Sequence, residues 1–127
     1  MISRGKRHAV GRAQLGNSAL SAGQDDITAG RWPQAERQAS KARRWQPWSA
    51  DPWVVTGEAR LGAGNPAGAR VAFRQAIAKE PDDWHNWYEL ALVARSAERR
   101  RAVARAKELN PLSSEVAGLE SAGPLAP

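Results

Sequence analysis

A chain of 127 residues with 19 Lys plus Arg, 13 Asp plus Glu and no cysteine allows one domain with a modest core and leaves it basic. Disulfides, thiolate metal sites and cysteine nucleophiles are excluded, and the two histidines, His8 and His85, stand too far apart in sequence to suggest a metal site. No apolar run approaches the ~18–20 residues that span a bilayer, and six Trp with many Ala and few β-branched residues favour close-packed helices over a sheet.

Residues 1–15 form a basic, acid-free opening carrying Arg4, Lys6, Arg7 and Arg12. It starts as a signal peptide does, but Gly11, Arg12, Gln14, Gly16 and Asn17 interrupt any apolar stretch. The chain as written is therefore expected to be soluble and without an export signal. It would be cytoplasmic, or tethered to the cell membrane if it belongs to a longer chain in which Arg4 to Arg12 flank a membrane helix.

A first helix is predicted over about residues 14–29, weakened by Gly16, Gly23 and Asp25-Asp26. A second follows over 33–44. Trp45 and Trp48 lie in the next connection, where they either staple successive helix pairs or offer an exposed aromatic contact. Asp51 can cap a third helix over 53–63, with Pro52 at its start, and Gly64 suits a left-handed stop. Asn65-Pro66 repeats the cap-then-proline opening of a fourth helix, which Pro81 ends near Glu80. Asp82 or Asp83 caps a fifth helix from Trp84. The stretch Arg95-Ser96-Ala97-Glu98-Arg99 has neither glycine nor proline, so the last pair either turns tightly at Ser96 or runs on as one bent helix. A short closing helix from about Leu112 to Gly118 would cover the end of the stack, and the tail from Glu120 is expected to be disordered.

These helices repeat. A shift of 34 residues carries Gly23 onto Gly57, Gly30 onto Gly64, Ala35 onto Ala69, Ala42 onto Ala76, Pro47 onto Pro81 and Trp53 onto Trp87. In the third unit the period falls to 30, taking Ala72 to Ala102, Ala76 to Ala106 and Pro81 to Pro111. Four residues are missing where the inter-helix turn belongs, and Arg99 replaces the small residue that Ala69 supplies. Trp53, Trp87, Leu90, Phe73 and the repeated alanines are expected in the core, because apolar residues at helical spacing face inward.

The pattern W-x2-L-G-x2-Y, then A-x3-F, then P, is that of the tetratricopeptide repeat. The second unit, with Trp53, Gly57, Ala69, Phe73, Ala76 and Pro81, resembles it best, although Thr56 and Arg60 depart from the pattern's Leu and Tyr. The third keeps Trp87, Leu90, Ala106 and Pro111. The first keeps Gly23, Ala35, Ala42 and Pro47, with Ala19 in place of Trp. The resemblance implies an all-α solenoid of about three helical hairpins, the third shortened. Its repeats would be residues 16–49, 50–83 and 84–111, followed by a C-terminal cap and tail over 112–127.

It also implies a non-catalytic interaction scaffold that holds a protein or peptide ligand on the concave face made by each pair's first helix. In this chain that face carries Asp51, Val54, Glu58 and Leu61, then His85, Tyr88, Leu92 and Arg95, with Asn17, Leu20, Gln24 and Ile27 in the first unit. Tyr88 is the best single anchor. Glu58 would repel the ligand carboxylate that chaperone-binding repeats grip with cations. The wording around Pro47-Trp48, Glu80-Pro81 and Asn110-Pro111 is similar to the repeat tails that follow the membrane domain of bacterial O-antigen ligase-like polymerases, and no catalytic residue transfers from that resemblance.

Arg37, Lys41, Arg43 and Arg44, and Arg99, Arg100, Arg101, Arg105 and Lys107, gather on second helices. They form solvated outer faces or attract an anionic membrane surface or nucleic acid. No nucleic-acid motif accompanies them, which argues against specific base readout. No phosphate loop, HExxH motif or placed nucleophile occurs, so neither enzymatic activity nor a metal or other cofactor is expected.

Overall fold

The repeating alanines set the architecture. In the computed structural model, which describes residues 4–123, the regular elements are α1 (Arg4–Thr28), α2 (Trp32–Trp45), α3 (Asp51–Gly62), α4 (Pro66–Lys79), α5 (Trp84–Val93), α6 (Ser96–Leu109) and α7 (Ser114–Ala122). Ala35, Ala39, Ala42, Ala69, Ala72, Ala76, Ala102 and Ala106 are all fully buried. A methyl group at a crossing lets two helix backbones approach closely, and Phe73 and Leu90 fill the space beside them. Trp53 and Trp87 pack only in part and remain half-exposed.

Each helix packs on the next, so α1–α2, α3–α4 and α5–α6 form successive hairpins. Among the described residues α1 also meets α3, and α5 meets α7, whereas no comparable contact joins α3 to α5, α2 to α4 or α4 to α6. The second helices therefore lie on the splayed, outer side, and α1, α3, α5 and α7 line the inner one. This is the helical-hairpin solenoid expected from the repeat.

Turn chemistry follows the sequence closely in the first two units. Gly30 and Gly64 take φ of 74° and 82°, the left-handed conformation that glycine adopts without a Cβ penalty. Asn65 caps α4 by accepting from the Gly68 N–H at 2.9 Å, and Asp83, rather than Asp82, caps α5 by accepting from the His85 N–H at 3.0 Å. Asp51 does not cap α3. It opens the helix itself, behind Ala50, and the Ala50 N–H donates to Glu80 Oε2, joining the start of the second unit to its end, at 3.1 Å.

Two helix limits differ from expectation, at α1 and at the closing helix, and of the two alternatives at Ser96 the tight turn holds. α1 begins at Arg4, because no proline interrupts 4–13 and a helical glycine costs only about 1 kcal/mol. The third pair is two helices and not one bent helix: Ala94 and Arg95 are extended, and Ser96 turns the chain with φ of 52°. The closing helix runs through Gly118 to Ala122, capped by Ser113 and stopped at Gly123. The part of the expected disordered tail at 124–127 lies outside the described residues.

The two departures from the repeat pattern in the second unit are inter-unit ties. Thr56 Oγ1 accepts from Arg43 Nη1 at 2.8 Å and donates to the Pro52 carbonyl. Arg43 also lies 4.2 Å from the Trp53 ring centroid, within cation–π range. Arg60 pairs with Glu36 and donates to the Gly68 carbonyl. Arg99, where a small residue was expected, reaches across to α7 and donates to the Leu119 carbonyl at 2.6 Å. Polar side chains thus hold α2 to α3 and α6 to α7 where the pattern would place apolar ones.

Candidate functional site

The residues expected to line a groove occupy two environments. Asp51 and Arg95 are exposed at its ends. Val54, Leu61, Tyr88 and Leu92 are only partly exposed and pack against the core around Phe73 and Leu90. Leu20 and Ile27 do the same against Ala35, Ala39, Val55 and Ala59 in the first unit, while Asn17 and Gln24 are exposed. These apolar groove residues are therefore structural on one flank and available on the other.

The centre of the face is a ring and carboxylate cluster. The His85 and Tyr88 rings stack, with centroids 5.9 Å apart and planes 24° from parallel, and Trp84 meets both edge-on at 5.5 and 6.0 Å. Positions 84, 85 and 88 share one side of α5 because residues three and four apart align on a helix. One turn further on, Glu89 is buried, and its Oε1 lies 3.4 Å from His85 Nε2. Glu58, partly buried on α3, makes no side-chain hydrogen bond among the described residues; its charge acts on both His85 and Glu89.

Burial and the neighbouring Glu58 carboxylate push the Glu89 carboxyl up to about 8. Burial raises Glu58 too, opposed by His85. Burial, with Glu115 on α7 and then Glu89, raises the Tyr88 phenol, so it remains a neutral donor at physiological pH. Repeat spacing had singled out Glu58, His85 and Tyr88 but not Glu89, whose role comes from its burial between inner helices. Among the described residues no group of three or more His, Cys, Asp or Glu could hold a metal ion.

The outer side differs in character. Arg37, Lys41, Arg44, Arg100 and Arg101 are exposed. Arg74 instead pairs with Glu98 at 2.7 Å, and Arg105 with Asp82 and Glu108. Trp48 is 68% exposed and does not staple units together. With Arg44, Trp45 and Pro47 it lines a cleft of about 310 Å³. No described helix is long and apolar enough to cross a membrane. The side chains of Arg4, Lys6, Arg7 and Arg12 lie outside the described residues.

No known protein-family model matches the chain, and no curated protein matches it. Among solved structures, the TPR domain of Arabidopsis OM64 superposes with a TM-score of 0.79 at 13% identity, covering 87% of this chain and 94% of that one. Nearly the whole solenoid is therefore shared with a tetratricopeptide-repeat domain, while at this identity the likeness speaks for the fold alone. It does not extend to the polymerase-tail resemblance.

Proposed function

We propose that this tetratricopeptide-repeat solenoid is a non-catalytic scaffold that holds a polypeptide segment along its inner face. One observation carries the reading: partly exposed apolar residues stand on three successive inner helices, with a ring cluster on the third. Such a surface offers an extended chain both apolar contact and directional polar groups. Tyr88 supplies a large amphipathic contact at low conformational cost. Selection of peptides from a displayed random library tests the reading. Binders should lose affinity on Tyr88→Ala and keep it on the double variant Arg100→Glu/Arg101→Glu. Circular dichroism and melting of each variant separate lost contact from lost fold, since Tyr88 also packs on the core. Peptides insensitive to Tyr88→Ala but lost on the charge reversal would move the site to the outer face.

A second reading rests on a different observation. Arg37, Lys41 and Arg44 follow each other at steps of four and three along α2, exposed and without ion-pair partners among the described residues, and lead to exposed Trp48. Cations beside an interfacial tryptophan suit an anionic lipid surface. Binding to anionic vesicles that falls steeply with salt, and is lost on Trp48→Ala, would support it; equal binding to neutral vesicles would sink it. The fold is compatible with a repeat tail on a membrane polymerase, and nothing in the groove depends on that context.

A further inference from the structure

We infer that the groove selects a basic polypeptide segment, one whose Lys or Arg side chain seats against Glu58 and Glu89 beside the His85–Tyr88 stack. This rests on the groove reading above and names the partner's chemistry.

Charge is segregated across the solenoid. From α3 onward the inner helices carry the carboxylates Asp51, Glu58, Glu89, Glu115 and Glu120 against a single cation, Arg60, which turns outward to Glu36; Glu120 pairs with Lys107 of α6, and Arg95 stands exposed at the end of the face. The outer helices α2, α4 and α6 carry twelve Lys and Arg against three carboxylates. A chain of net charge +6 thus presents an inner wall of opposite sign to its bulk. Charge arranged this way favours complementary partners and rejects those of like sign.

At the middle of that wall Glu89 is 7% exposed, and among the described residues its one ion-pair partner is His85, at 3.4 Å, whose ring carries a charge only when protonated. Glu58, partly buried on the inner helix α3, acts on it through its charge and makes no side-chain hydrogen bond among the described residues. Desolvation and the neighbouring Glu58 charge penalise ionised Glu89, which holds its proton at neutral pH, and burial strengthens that penalty. A lysine ammonium or arginine guanidinium placed between the two carboxyl groups would relieve it. The stacked rings of Tyr88 and His85, with Trp84 at their edge, supply the aromatic surface over which a cation and its methylene stem pack. A carboxylate-bearing peptide would instead meet Glu58, Glu89 and Glu115.

The test uses fluorescein-labelled peptides that alternate lysine, glutamate or glutamine with leucine, titrated into the intact chain. The lysine peptide should bind, and binding should weaken about tenfold in the isosteric double variant Glu58→Gln/Glu89→Gln. Glu58→Lys, at a more accessible position, should reverse the order and favour the glutamate peptide. Melting of each variant confirms that it is folded. Failure of the lysine peptide to bind, or unchanged affinity in the double glutamine variant, overturns the inference. A glutamate or glutamine peptide that binds as well, and is lost on Tyr88→Ala, would overturn the cation preference while leaving the groove reading intact. If no peptide responds to Tyr88→Ala, both readings fail. Concentration-dependent self-association that the double glutamine variant abolishes would assign the groove to a second copy's basic helix and overturn the inference.

Discussion

The Phe73 ring fills the space that a side chain on Gly57 would need. A Cβ placed on Gly57 falls 2.6 Å from Phe73 Cδ1 and 2.7 Å from Cζ, closer than any relaxed contact. Both residues are buried, Phe73 completely, so the ring has little room to retreat. Gly57→Ala sets two effects against each other. Alanine is a better helix former by about 1 kcal/mol, whereas overpacking a tight core costs about 1–3 kcal/mol. Overpacking should win, and chemical denaturation should show a net loss of roughly 1–2 kcal/mol. A second substitution, Phe73→Leu, should make Gly57→Ala close to neutral; unchanged cost in the double-mutant cycle would place the clash elsewhere.

Ala76 tests the register of the second unit. It is fully buried, and its carbonyl accepts from the Glu80 N–H and, at 3.5 Å, from the Asn86 side chain. Ala76→Arg drives a long cation into the α4–α5 crossing, at a cost of about 3–5 kcal/mol or more. Ala78→Arg, two residues on and exposed, is the control and should change stability by less than about 0.5 kcal/mol. Circular dichroism melts of both variants give the answer, and equal melting temperatures would refute the register.

The shortened third turn makes a sharper forecast. Ser96 is the only described non-glycine residue with positive φ, where an L-side chain costs about 1 kcal/mol. Ser96→Gly removes that strain but enlarges the unfolded ensemble by about 0.4–1 kcal/mol, so its stability should stay near wild type. Ser96→Val, β-branched and ill-suited to this conformation, should lower stability by about 1–2 kcal/mol. A stable Ser96→Val variant would mean that the turn relaxes to another geometry.

Much of this fold was legible because alanine crossings and glycine stops recur at fixed spacing, and a single sequence records spacing directly. The caps at Asn65 and Asp83 were legible for the same local reason. The partners of Thr56, Arg60 and Arg99 were not. Each is chosen by a residue on another helix, Arg43, Glu36 or Leu119, and no local pattern encodes that choice. Glu89 was missed because a glutamate one turn from the groove reads as solvated surface; its burial depends on how neighbouring inner helices meet. Asn86, buried and donating to the Glu80 carbonyl at 3.0 Å, was hidden for the same reason. It fastens the end of α4 to α5.

Glu89 makes stability depend on pH in a direction opposite to that of a salt-bridged carboxylate. Its folded value of about 8 lies above the ordinary 4.5, so the folded state holds the proton more tightly than the unfolded state does. The stabilisation is fully present below about pH 4.5 and declines as pH rises through about 8. A shift of this size corresponds to an upper bound on the order of 5 kcal/mol. The groups that face it decide how much is realised. Glu58 on α3 is raised in the same sense and adds to the decline, whereas His85 on α5 opposes it when protonated. Tyr88 stays neutral over this range, and Glu115 on α7 acts through it. Denaturant melts between pH 5 and pH 8.5 should therefore show wild type losing stability with rising pH, and Glu89→Gln losing much less. At pH 8.5 Glu89→Gln should be the more stable of the two, because it keeps the shape of the carboxyl without the buried charge. Parallel pH profiles for the two proteins would show that Glu89 does not titrate in this window.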